Sequence, residues 1–430
     1  MKLNYKKTFL IGLAFFSTCA FWQLYDTVIP LILSKTFGLK ETITGAVMAL
    51  DNVLGIFLLP LFGALSDRTH TKLGRRMPFI ILGSAVSITF LQLIPAADNS
   101  RNFILFFFAL GTILVAMGTY RSPAVALMPD VTPKPLRSKG NAIINLMGTM
   151  GGFCTLIMIS LLVPKTGKPD YTALFACVGA LMALAVAVLA ITTRENALAE
   201  ENEKINTALD MENGVTNTSA GSPGAAMPRE VRKSLAMILL SIFLWFTAYN
   251  AITTAYSRYA VNIWGLQGGS YANALLIAIA VSTICFIPIG YVSTLIGRRK
   301  TILIGIVLIT ISYLLGALIR AYSPLIYIIF AFTGVGWASI NVNSYPMVVE
   351  MSRGCDVGKY TGLYYTFSML AQIVTPILSG FLLERFSYRT LFPYAATFSI
   401  LSFITMLQVK HGDSKPPKKM GVLDHFDDGE

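Results

Sequence analysis

Twelve stretches of this chain are apolar for about 20 residues each, enough at roughly 1.5 Å per residue to cross a bilayer core as α-helix. They run approximately 8–33, 42–65, 77–97, 103–128, 140–163, 171–192, 235–262, 271–295, 301–321, 324–349, 359–383 and 390–409. In hydrocarbon each segment must satisfy its own backbone N–H and C=O groups, so the expected fold is an all-α membrane protein with twelve transmembrane helices. Of the 430 residues, 13% are charged and 54% hydrophobic. A soluble chain could not cover its surface with so few charges.

The net charge of +12 would fit a nucleic-acid partner, but its distribution excludes one. Of the 34 Lys and Arg residues, 24 fall in segments on the amino-terminal side, the positive-inside asymmetry that puts both termini in the cytoplasm. The first apolar run follows Lys2, Lys6 and Lys7 and is too long for a signal-peptide core, so it is expected to be retained as a span. Cys19, Cys154, Cys177 and Cys285 lie in spans and Cys355 in a loop, which reads as packing and not as a disulfide framework. His70, His411 and His425 are too scattered for a metal site. No nucleophile–base pair or cofactor motif appears, so neither enzymatic activity nor a cofactor is expected.

Residues 193–234 break the apolar pattern with Glu, Asn, Ser and Gly, including Asn213-Gly214 and Gly221-Ser-Pro-Gly224. They are expected to form a cytoplasmic linker between one six-helix bundle at 1–192 and a second at 235–409. Residues 194–212 are read as an extension of the sixth helix and the rest as flexible. The tail at 410–430, with Pro416-Pro417 and an acidic end, is expected to be disordered.

Residues 63–76 read Gly-Ala-Leu-Ser-Asp-Arg-Thr-His-Thr-Lys-Leu-Gly-Arg-Arg, between spans 2 and 3. A degraded copy, Gly290 to Lys300, lies between spans 8 and 9 with Thr294 where the acid would be. A second echo follows spans 4 and 10: Pro123, Asp130, Arg137 and Gly140 against Pro346, Glu350, Lys359 and Gly362. Paired signals in matching positions mark two related halves with a binding site at their interface. The first loop resembles the loop between helices 2 and 3 of the major facilitator superfamily. Its long Asp-to-Gly spacer, followed by Pro78-Phe79, is similar to the sucrose-transporter branch and the glycoside–pentoside–hexuronide cation symporters. The resemblance implies two pseudo-symmetric six-helix bundles, a cavity lined by spans 1, 4, 7 and 10, and a cytoplasmic latch. The latch residues are Asp67, Arg68, Arg75, Arg76, Arg298 and Arg299. Asp67 is expected near the start of helix 11, at 358–361, when the opposite side is open. Two departures matter. Val125 stands where sucrose transporters carry an Arg, and 103–123 holds no acid, so neither sucrose nor proton coupling through helix 4 is implied.

Four ionisable groups lie inside spans: Asp26, Asp51, Arg121 and Arg258. Each is costly there and needs a role, of which mutual pairing is the plainest. Asp51 sits about 14 Å into span 2, where a carboxylate can take a proton or a sodium ion, or can be tied to helix 11 by a hydrogen bond. Melibiose-type symporters carry aspartates on this helix one turn further on, at the position of Gly55. Trp22, Gln23 and Asp26 combine a ring, an amide and a carboxylate. That is sugar-binding chemistry, or else an aromatic belt with a solvated acid. Asp26 is a second candidate for cation coupling.

Span 7 is too polar to face lipid, with Tyr249 beside a stripe of Asn250, Thr253, Thr254 and Ser257. It lines a cavity or bonds to neighbouring helices. Trp337, Asn341 and Tyr345 on span 10, with Tyr364, Tyr365 and Gln372 on span 11, continue the amide, hydroxyl and aromatic character. Such chemistry fits an uncharged polyhydroxylated solute. The expected protein is a monomeric plasma-membrane symporter of a sugar or glycoside with H+ or Na+, lipid its only other partner; Arg121 bonds solute, pairs with a carboxylate or only anchors the end of its helix. A drug or metabolite exporter is the rival and predicts an apolar cavity.

Overall fold

The computed structural model describes residues 4–133, 137–164, 169–212, 229–351 and 357–413. Cys355, His425 and, of the expected flexible linker and tail, residues 213–228 and 414–430 lie outside them. The helices are α1 (Tyr5–Lys35), α2 (Glu41–Arg68), α3 (Met77–Leu91), α4 (Leu93–Asn99), α5 (Phe103–Val131), α6 (Arg137–Leu162), α7 (Thr172–Thr192) and α8 (Glu195–Glu212). They continue as α9 (Arg229–Trp264), α10 (Ala272–Ile296), α11 (Arg298–Leu318), α12 (Leu325–Glu350), α13 (Val357–Arg385) and α14 (Leu391–Leu407). Twelve spans are long and apolar enough to cross a membrane, with α3 and α4 forming one of them. Asn4 and Asn102 start α1 and α5 by accepting from Lys7 N at 3.1 Å and Leu105 N at 3.0 Å.

α1 packs on α6 and α7, and α2 and α3 on α5; α9 packs on α13 and α14, and α12 on α10 and α11. The two halves meet through α2 with α13, α1 with α9, and α6 with α10. Because the span number is even, both chain ends lie on one face of the membrane, here called the termini face. The opposite one is the far face.

The halves are closed together at the far face and parted at the termini face. Along α13 the stripe 362, 369, 376 and 380 points at α2, as the helical period requires. A Cβ on Gly380 would lie 2.4 Å from Glu41 O, and one on Gly45 would lie 1.9 Å from Pro376 O. Nearer the middle, a Cβ on Gly55 would lie 3.5 Å from Met369 Cε. At Gly362, by the termini face, nothing lies within 4 Å of the same position.

Three expectations need correction. The segment after α7 does not extend it: the chain breaks at Thr193–Arg194 and starts α8 anew. The carboxylate of Glu195 accepts from the backbone N–H groups of Arg75 (3.0 Å), Arg76 (2.9 Å) and Met77 (2.9 Å), capping α3 and fixing where α8 begins. The seventh span begins at Arg229, inside the expected linker. The tail is also docked further than expected. Ser234 Oγ accepts from Lys410 N at 3.2 Å and meets His411 Nδ1 at 2.8 Å, and Asp413 Oδ1 accepts from Arg298 N at 2.7 Å.

Candidate functional site

The seam between the halves carries the unneutralised charges. Asp26 on α1 makes no hydrogen bond or ion pair among the described residues, yet lies within electrostatic reach of Asp51 and Arg121. Asp51 Oδ1 accepts from Asn52 Nδ2 at 2.8 Å, and among the described residues no hydrogen bond ties it to α13. Asn52 Oδ1 is buried without a partner. Arg121 on α5 also lacks an ion pair among the described residues. Its guanidinium carbon lies 5.4 Å from the centre of the Trp22 ring, a cation–π contact. Trp22 Nε1 is buried and unbonded. Gln23 turns aside from this group: its Nε2 donates to Thr27 Oγ1 at 2.9 Å and its side chain lies over Gly152 of α6.

On the other half, Trp337 stacks on Tyr249 with centroids 3.7 Å apart and rings 7° from parallel, and Phe246 meets it edge-on at 5.3 Å. Asn250 Nδ2 is buried and unpartnered, a donor without an acceptor. Thr254 and Thr253 donate back to Asn250 O at 2.7 and 3.3 Å, so their hydroxyl oxygens stay free to accept. Asn341 is exposed, one turn from Trp337 and one from Tyr345 on the same face of α12. Tyr345 joins a tyrosine cluster, 5.5 Å from Tyr364 and 6.3 Å from Tyr365. Tyr365 lies within electrostatic reach of Arg121 across the seam.

Arg258 does not join the other three intramembrane charges. It is 2% exposed, and its Nε donates to Glu41 Oε2 at 2.7 Å, while Tyr388 donates to Glu41 Oε1. Around this pair Lys35 donates to Asn262, and Thr42 N and Oγ1 donate to Glu384 Oε2 at 3.1 and 2.6 Å. Ser160 Oγ donates to Asn273 Oδ1 at 2.5 Å. All of these contacts cross between the halves at the far face. Glu41 was missed in the sequence because it precedes the apolar run of span 2. An acid in a helix's first turn needs no further reason there, since the dipole favours it.

The expected latch residues are held within their own halves. Arg76 bonds Asp67 and Ser66, and its Nε lies 2.8 Å from Asp130 Oδ2; Arg75 Nη2 lies 2.8 Å from Asp130 Oδ1. Arg298 pairs with Glu350, and Arg299 donates to Leu407 O at 2.6 Å. Arg68 is exposed with no ion pair among the described residues. The two echoes seen separately in the sequence thus meet, Arg76 with Asp130 and Arg298 with Glu350. No hydrogen bond or ion pair joins the halves at the termini face among the described residues.

The model of the family described as Major Facilitator Superfamily matches residues 11–287 and 274–423. The isoprimeverose transporter of Lactiplantibacillus pentosus is 20% identical over 317 residues, 72% of this chain and 64% of that protein. The sucrose transport protein SUC3 of Arabidopsis thaliana is 25% identical over 136 residues, 27% of this chain and 23% of that protein. The chain thus matches less than two thirds of the length of these curated relatives. Among solved structures, the xylose transporter XylE from E. coli, in its inward open conformation, is 13% identical with a TM-score of 0.69, over 96% of this chain and 97% of that one. A POT family transporter in complex with 5-aminolevulinic acid has the same TM-score of 0.69 at 10% identity, over 94% of this chain and 95% of that one. One fold serves both, so the fold does not choose the solute. With twelve spans in the membrane and a family match that runs nearly end to end, the chain belongs to the Major Facilitator Superfamily of transporters.

Proposed function

We propose that the chain carries a sugar or glycoside by alternating access, in symport with H+ or Na+. One observation carries this reading. The seam holds Asp26, Asp51 and Arg121 without an ion pair among the described residues, together with the unpartnered Asn52 Oδ1 and Asn250 Nδ2 and stacked aromatic rings. Rings cover the apolar C–H faces of a sugar, while amides and hydroxyls take its oxygens. The isoprimeverose and sucrose transporters among the relatives support the same solute class. A drug exporter would need an apolar cavity.

The positive-inside asymmetry puts the termini face in the cytoplasm of a plasma-membrane protein. The far face is then extracellular, and the conformation is inward-facing. Asp51 and Asp26 take the coupling cation. Its arrival removes the charge that opposes closure over a neutral solute. Closing the termini face requires Asp67 to leave Arg76 and approach the start of α13, while the Glu41–Arg258 pair opens on the other side.

The test is a thermal-shift screen of the purified protein against mono- and disaccharides, because a ligand of the native state raises its stability. A sugar should raise the melting midpoint, more so with Na+ or at lower pH. A response to apolar cations and none to any sugar would contradict the reading.

A further inference from the structure

Tyr365 is 55% exposed about one turn inside the termini end of the α13 span, and its position explains why. It lies one turn from Met369, on the α13 stripe that meets α2 at Pro376 and Gly380. The exposed apolar residues Leu370, Ile377 and Phe381 fall on a different face of α13, the one turned to lipid. Tyr365 therefore stands in the seam, at the level where the halves part. Its neighbour Tyr364 is buried and bonded, 3.1 Å from Ser344 Oγ, and meets Tyr365 edge-on at 5.5 Å with rings 90° apart. That contact and the Tyr345 ring at 6.3 Å brace the Tyr365 ring, and more than half of the residue stays exposed. Across the gap stands Arg121, its guanidinium over the Trp22 ring and within electrostatic reach of Tyr365.

We infer that Tyr365 is the solute platform of the carboxy-terminal half, closing over the sugar ring against Arg121 when the termini face shuts. The inference rests on the sugar reading and adds the residue that determines how the bound ring is gripped. The alternative role for Tyr365 is packing alone, sealing the seam on closure.

The substitutions Tyr365→Phe, Tyr365→Trp and Tyr365→Leu separate the two roles. Because the side chain is exposed, all three should fold, with melting midpoints near that of the unsubstituted protein. Phe and Trp keep a ring and should keep sugar affinity. Leu seals the seam but offers no ring, and should raise the KM for transported sugar about tenfold with little change in kcat. Equal KM for the Leu variant would overturn the inference and leave the sugar reading standing. Loss of kcat at constant KM would assign Tyr365 to packing. If the unsubstituted protein binds no sugar, the inference and the sugar reading fall together.

Discussion

Arg258 and Glu41 meet across the seam at 2.7 Å, an ion pair between the two halves from which water is almost wholly excluded. Removing one partner of a buried pair leaves a charge stranded in low dielectric, at a cost of about 3 kcal/mol or more. In a two-state carrier that cost falls on the far-closed conformation alone. Glu41→Gln should therefore shift the population towards the far-open state by roughly a hundredfold. Spin labels at 36 and 263 would read this as growth of a longer distance. The exchanged pair Glu41→Arg with Arg258→Glu should restore the short distance, and no shift in the single variant would show that the pair does not hold the gate.

Gly45 is a second determinant of the same closure. A side chain there would overlap Pro376 O, an atom of backbone that cannot rotate away. Gly45→Val should fold but fail to close its far face. A cysteine at 262 should then stay open to membrane-impermeant thiol reagents from that side, and transport should stop. Normal transport by this variant would place the closed state's contact elsewhere.

Glu195 satisfies three backbone donors at the start of α3 and fastens α8 to the amino-terminal half. Glu195→Ala should lower stability by about 1–2 kcal/mol, the usual range for a lost cap. Thermal unfolding in detergent would register this as a midpoint a few degrees lower. Asp413 is its counterpart on α11, so Asp413→Ala should behave alike.

Much of this was legible from residues alone. The twelve spans follow from hydrophobic run length, and the paired loops announced the duplication. The site was legible only by composition. Asp26, Asp51 and Arg121 stand out because charge in a span needs a reason, but their separation from Arg258 could not be read. The partner of Arg258 lies 217 residues away and outside any apolar run. Gln23 stands three residues from Asp26 on the same helix, yet close packing of α1 on Gly152 drew the amide towards α6. The capping role of Glu195 was hidden because a polar run after a span looks the same whether docked or free.

Asp51 should matter for coupling and little for exchange. Asp51→Asn keeps the shape and its contact with Asn52 but cannot carry a titrating charge. Sugar counterflow without a gradient should persist in this variant, while accumulation against a sugar gradient is lost. Full accumulation would remove Asp51 from the coupling path.

The central claim is that cation binding in a wet seam drives a sugar across the membrane. Uptake of radiolabelled sugar into proteoliposomes, with an imposed inward gradient of H+ or Na+, tests it most directly. The account predicts accumulation above the external concentration that collapses when the gradient is dissipated. Sugar uptake that stays at background with either ion would contradict it.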